Sequence, residues 1–83
     1  MDQRSKIREF LQQLLAQKGD RKPFADGDSL VISGRLQSVD AVEIVVFMEE
    51  NWGIDFAQMG FDESQIDSVN AIEAVIQSAA VTN

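Results

Sequence analysis

Ser38 is the side chain with the most to offer chemically. It follows the glycine-containing stretch Ser33-Gly34-Arg35-Leu36-Gln37 and opens a segment rich in acids. A serine ahead of a helix ordinarily caps it, its oxygen accepting from a first-turn amide. The alternative is an exposed hydroxyl at a helix start, where free amides and the dipole favour an attached phosphate. No base lies nearby in sequence to activate the hydroxyl, so modification by another enzyme suits Ser38 better than catalysis. Composition narrows the other chemistries. The 83 residues include no cysteine and no histidine, which removes disulfides, thiolate ligands, the commonest metal ligand and the commonest general base. Asp62, Glu63 and Asp67 could serve an enzyme working through carboxylates, but they read as a helix start with a solvated face. Asp26-Gly27-Asp28 has the opening spacing of a calcium loop, yet Leu30 and Gln37 stand where oxygen ligands belong. No catalytic residue and no metal ligand is assigned, and the chain is not expected to be an enzyme.

The charges are sharply segregated. All seven basic residues (Arg4, Lys6, Arg8, Lys18, Arg21, Lys22, Arg35) fall in the first 35 positions, beside five acids. The remaining 48 residues carry nine acids and no base, giving a net charge of −7 overall. A nucleic-acid binder needs lysine and arginine facing phosphates, so that role is excluded, and anionic membrane surfaces are disfavoured likewise. A basic protein surface becomes the expected partner. No run approaches the ~20 apolar residues of a membrane span, and nothing after Met1 reads as a signal-peptide core. A cytoplasmic protein is therefore expected, with residues 1–83 as a single domain.

The elements that must position Ser38 follow from periodicity. Ile7, Phe10, Leu11, Leu14 and Leu15 lie at helical spacing, with Asp2 or Ser5 as possible caps, Gly19 as a stop and a solvated polar face opposite. Residues 19–37 contain the only proline and three glycines, yet Phe24, Leu30, Val31, Ile32 and Leu36 are apolar. They make a long loop pinned onto the body of the protein, the kind of loop that is often functional. A second helix is predicted from about Ser38 to Asn51, with Ala41, Ile44, Val45, Met48 and Trp52 as its core stripe. Val39, Val42, Val46 and Phe47 form a second apolar group among Asp40, Glu43, Glu49 and Glu50. One reading covers that group with the loop or first helix, and this is the expectation for Val42. The other is an apolar strip edged by acids, facing a partner. Gly53 ends the helix. Residues 57–67 read as irregular, with one helical turn around Asp62 to Ile66. Ser68 caps a last helix carrying Val69, Ala71, Ile72, Val75, Ile76 and Ala79. The prediction is an all-α, small four-helix bundle, three longer helices and one short, with a long loop between the first two.

The stretch Gly34-Arg35-Leu36-Gln37-Ser38-Val39-Asp40-Ala41-Val42-Glu43-Ile44 resembles the modification site of acyl carrier proteins. The resemblance continues through Met48-Glu49-Glu50-Asn51-Trp52-Gly53-Ile54 and Ile66-Asp67-Ser68-Val69, covering nearly the whole chain with the first helix and loop. It implies that a phosphopantetheinyl transferase attaches 4′-phosphopantetheine covalently to Ser38. The arm's thiol would hold acyl intermediates as thioesters for enzymes of fatty acid, lipid or secondary-metabolite synthesis that dock through basic patches. It also implies partner contacts at Gln37, Val39, Asp40, Glu43, Val46, Glu49 and Glu50. Ile44, Val45, Met48, Ile72 and Val75 would line a pocket for the cargo. A monomer is expected.

Two departures from the family pattern stand out. Gln37 replaces the aspartate before the serine and Val39 the leucine after it, which points to a specialised carrier. The segment Phe56-Ala57-Gln58-Met59-Gly60-Phe61 is longer than the usual link and brings two phenylalanines and a methionine near the cargo end. Arg35 is either a distinguishing contact beside the site or a solvated loop charge. A peptidyl or aminoacyl carrier of the same fold, or an unmodified acidic binding module, are the alternatives.

Overall fold

Helix α1, Gln3–Gln17, buries Ile7, Leu11, Leu14 and Leu15 on one stripe, the spacing of one helix face. It stops at Gly19, whose positive φ of 84° suits a residue without Cβ, and the Asp20 amide returns to the Leu15 carbonyl at 2.9 Å. The computed structural model describes residues 3–82, so the possible cap Asp2 lies outside the described residues. Helix α2, Ser38–Trp52, buries Ala41, Ile44 and Met48 and ends at Gly53, again left-handed, whose amide donates to the Glu49 carbonyl. Helix α4, Val69–Thr82, packs against α1, burying Val69, Ile72, Val75, Ile76 and Ala79. Ser68 caps it as expected, its hydroxyl accepting from the Ala71 amide at 3.1 Å. Among the described residues there is no strand.

Between α2 and α4 the chain is more ordered than its sequence suggests. Asp55 accepts from the Ala57 amide and starts a one-turn helix α3, Phe56–Met59, which Gly60 closes with φ of 81°. A 3₁₀ turn, Glu63–Ile66, follows under an Asp62 cap and buries Ile66 completely. The short helix read near 62–66 is this turn, and α3 is an addition. Such short pieces are set by their caps rather than by periodicity.

The long α1–α2 loop is held at two points. At the first, Phe24 is buried between two guanidinium groups, Arg8 at 4.7 Å and Arg35 at 6.0 Å from its ring centre. Arg35 grips Asp20 through Nε and Nη2 at 2.8 and 3.0 Å and donates to the Lys22 and Pro23 carbonyls. Arg8 pairs with Asp26 at 2.6 Å and donates to the Phe24 carbonyl. Arg35 is thus neither a free contact nor a solvated charge but part of the loop's own clamp. The polar face of α1 is likewise not simply solvated, because Arg4 joins Asp26 of the loop to Glu73 of α4.

At the second point Asp67 accepts from the Ser29 hydroxyl and from the amides of Val31 and Ile32, at 2.8 to 3.1 Å. The Asp67 carbonyl takes the Leu30 amide as well. One residue thereby satisfies a run of loop donors that have no strand or helix to join. Asp67→Ala should cost about 1–3 kcal/mol by orphaning these donors. A urea midpoint equal to that of the unaltered protein would show that the loop does not depend on this carboxylate.

Candidate functional site

Helix α2 starts at Ser38, as expected, but the cap position falls to the residue before it. Gln37, with extended backbone at φ −116° and ψ 177°, occupies the cap position, and Ser38 is the first helical residue. The Gln37 carbonyl accepts the first helical amides, those of Asp40 and Ala41, at 2.9 and 3.1 Å. Ser38 is exposed, and its hydroxyl makes no hydrogen bond among the described residues. The Ser38 and Val39 amides also lack an acceptor there, as first-turn amides do. Ser38 does not cap α2.

Beneath Ser38 lies an internal ion pair. Asp40 is only 6% exposed, and its Oδ2 accepts from Lys18 Nζ at 2.6 Å and from the Gln37 amide at 2.8 Å. Lys18 also donates to the Arg35 carbonyl, so one ammonium joins the end of α1, the loop and the start of α2. Burial pushes the Asp40 carboxyl up, but the Lys18 ammonium and the Gln37 amide outweigh it and hold it below the usual carboxylate range. The expectation that Asp40 meets partners is therefore overturned. Its carboxylate faces inward because a lysine twenty-two positions earlier reaches it, a pairing no local pattern announces.

The other proposed contacts do face outward. Gln37, Glu43, Glu49 and Glu50 are exposed, and Val39 and Val46 are 68% and 42% exposed. Val42, expected under the loop or first helix, is 63% exposed. Only Phe47 of that apolar group is covered by α1, stacked on Phe10 with ring centres 4.0 Å apart. Val42 lies one turn from both Ser38 and Val46, and that i, i+4, i+8 spacing was the available signal for a shared face.

Ser38 borders an apolar groove of about 360 Å³ lined by Ala41, Val42, Val45, Val46, Phe61 and Glu63. Phe61 is set edge-on against buried Phe56, ring centres 5.7 Å apart. The longer 56–61 segment therefore contributes one wall through Phe61 and a core anchor through Phe56, while the Met59 side chain lies outside the described residues. Of the five residues expected to line a cargo pocket, only Val45 borders this groove. Ile44, Met48, Ile72 and Val75 are packed in the core at 0–7% exposure. Apolar periodicity marks all five alike, since core wall and cavity wall require the same residue types.

The carboxylates Asp62 and Asp67 have structural tasks, as cap and loop anchor. Among the described residues no group of three or more acids could hold a metal ion, and no helix is long and apolar enough to cross a membrane. Comparison with models of protein families, with curated proteins and with solved structures finds no match.

The ion pair makes a pH prediction. For Asp67 too, burial acts upward, but the Ser29 hydroxyl and loop amides prevail and depress its carboxyl. A depressed folded-state value means stability that is complete above the unfolded carboxylate pKa and is lost as pH falls through the folded one. Stability should thus decline on acidification below about pH 4. In Lys18→Met the buried Asp40 loses the ammonium that holds it down, so the protein should be less stable at neutral pH and lose less of its stability on acidification. Superimposable acid limbs for the two proteins, followed by urea unfolding, would contradict the role given to Lys18.

Proposed function

We propose that the protein is an acyl carrier whose attachment point is Ser38. The observation that supports this reading is the exposed, unpartnered Ser38 hydroxyl in the first turn of α2, at the mouth of an apolar groove. The residues around it suit a phosphopantetheine group. The Ser38 and Val39 amides can donate to a phosphate, the nearby Asp40 charge is offset by Lys18, and the groove is walled by valines and Phe61. When bound, that group supplies a thiol on which an acyl chain is held as a thioester.

The chain's own residues supply the rest. In the attachment reaction Ser38 Oγ bonds to the pantetheine-side phosphorus of coenzyme A. Its proton passes to a base of the transferase, and 3′,5′-ADP leaves. Glu43, Glu49 and Glu50 present the charge that a basic transferase or acyl-processing enzyme reads, and Val39 and Val46 give apolar contact between them. The protein acts as a cytoplasmic monomer in this reading. Gln37 reduces the negative charge beside Ser38, which favours a transferase of relaxed or distinct specificity.

Incubation with a phosphopantetheinyl transferase and coenzyme A should add one phosphopantetheine by intact-mass measurement, and Ser38→Ala should add none. Glu43→Lys with Glu49→Lys should slow the modification, as should added salt. No added mass with several transferases of different specificity would sink the carrier reading and leave an acidic binding module.

A further inference from the structure

We propose that the cavity between the C-terminal half of α1 and the start of the α1–α2 loop binds a small organic phosphate, a phosphomonoester on an apolar or aromatic body. The cavity measures about 310 Å³, the size of a site for a small molecule. Leu15, Pro23 and Phe24 give it an apolar part, and Asp20, Arg21 and Lys22 a charged one. Its walls are set before any ligand arrives. Phe24 is buried between the Arg8 and Arg35 guanidinium groups, and the Asp20 amide is bonded to the Leu15 carbonyl. A preformed site loses little on ordering when it is filled.

Charge selects the occupant. Arg4, Arg8, Lys18 and Arg35 are engaged in ion pairs, and Lys6 is placed over the Trp52 ring at 5.7 Å. The other two bases, Arg21 and Lys22, are exposed and both line this cavity. Their side chains make no hydrogen bond or ion pair among the described residues, although Lys22 acts on Asp20 at longer range. Asp20, the acid of the lining, is already neutralised. Arg35 grips it through Nε and Nη2 and the Lys22 amide donates to it at 3.0 Å, which holds its carboxyl below the usual range. Asp28, which also acts on Arg35, accepts from the Ala25 amide and does not line the cavity.

Two unopposed cations at one cavity suit a doubly charged group, and a phosphomonoester carries about −1.5 to −2 at neutral pH. The apolar part calls for an organic body on that phosphate, since an inorganic ion would leave it unfilled. The net charge of −7 repels a polyanion or an anionic lipid surface, which confines the occupant to a small molecule. This cavity shares no residue with the groove beside Ser38, so the inference stands apart from the carrier reading.

The test titrates the full-length protein with phenyl phosphate, read by amide NMR, with phenol and inorganic phosphate as controls. Phenyl phosphate should give saturable shifts centred on residues 15–24 and bind more tightly than either control. Arg21→Gln with Lys22→Gln should weaken it roughly tenfold, whereas Lys6→Gln, which removes the cation over Trp52, should change it less than about twofold. Ser38→Ala should bind as the unaltered protein does, whatever the outcome of the modification experiment. Vesicles of phosphatidylcholine with phosphatidic acid, which carry the same phosphomonoester on a lipid, should not bind. The proposal is overturned by any of four results: absent shifts; equal binding of phenol or inorganic phosphate; shifts centred on Lys6 or Ser38; or an equal loss in Lys6→Gln. Binding to the vesicles would overturn it too, by assigning the cations to a lipid surface.

Discussion

Arginine and lysine side chains perform in this protein what backbone ladders perform elsewhere. The α1–α2 loop has neither strand nor helix to satisfy its polar groups, and a small domain has little core with which to hold it. Arg8 and Arg35 enclose Phe24 and take the carbonyls of Lys22, Pro23 and Phe24. Arg4 ties Asp26 to Glu73, and Lys18 ties the Arg35 carbonyl to Asp40. Each bridge spans elements distant in sequence, and most join the basic first part of the chain to an acid in the loop or beyond. Four of the seven positive charges are thereby used internally. What remains outward on α2 is Glu43, Glu49 and Glu50 with no basic neighbour in the second part of the chain. The acidity of that face reflects a stretch after Arg35 that holds no base, with Asp40 the one acid of α2 neutralised from the first part of the chain.

The same constraint frees Ser38. Asp40 and the Gln37 carbonyl organise the first turn of α2, so the serine is not needed as a cap. The Asp40 carboxylate beneath the turn would repel an attached phosphate if it stood alone, and Lys18 cancels it at 2.6 Å. A residue that organises the helix start is therefore separated from the residue that offers a hydroxyl there. Ordinary N-caps combine the two tasks in one side chain, and such a side chain is unavailable for anything else.

How far the sequence was readable depends on whether a feature is local. The helices of α1, α2 and α4, the Ser68 cap and the glycine stops follow from patterns within one turn or one face. Asp40 and Arg35 were misread because their partners, Lys18 and Asp20, are twenty-two and fifteen positions away, and loop geometry alone brings them together. Helix α2 begins at Ser38 as its periodicity predicts, and the cap position falls to Gln37, whose amide is taken by the Asp40 carboxylate three positions on. For the expected cargo lining the limit is different. Ile44, Met48, Ile72, Val75 and Val45 share one pattern, and only the packing of α4 and the 3₁₀ turn decides that four are core and Val45 is groove.

Val42 shows most clearly how exposure can carry meaning here. Two exposed valines one turn apart would ordinarily be scattered surface apolar residues, which need no explanation. Val42 and Val46, however, form a ridge with an apolar depression on either side. One depression opens at Ser38 and is walled by Phe61, and the other is floored by the stacked Phe10 and Phe47. Hydrophobic surface left open on both flanks of one helix is unfavourable for the isolated molecule. The fold had apolar residues available to cover it, since the loop already carries Ile32 fully outward at 83% exposure. Yet the clamps at Phe24 and Asp67 hold the loop away from that ridge, against α1 and the start of α4. The clamps that stabilise the loop are thus also what keeps α2 bare, so anchoring of the loop and accessibility of the ridge are one structural choice.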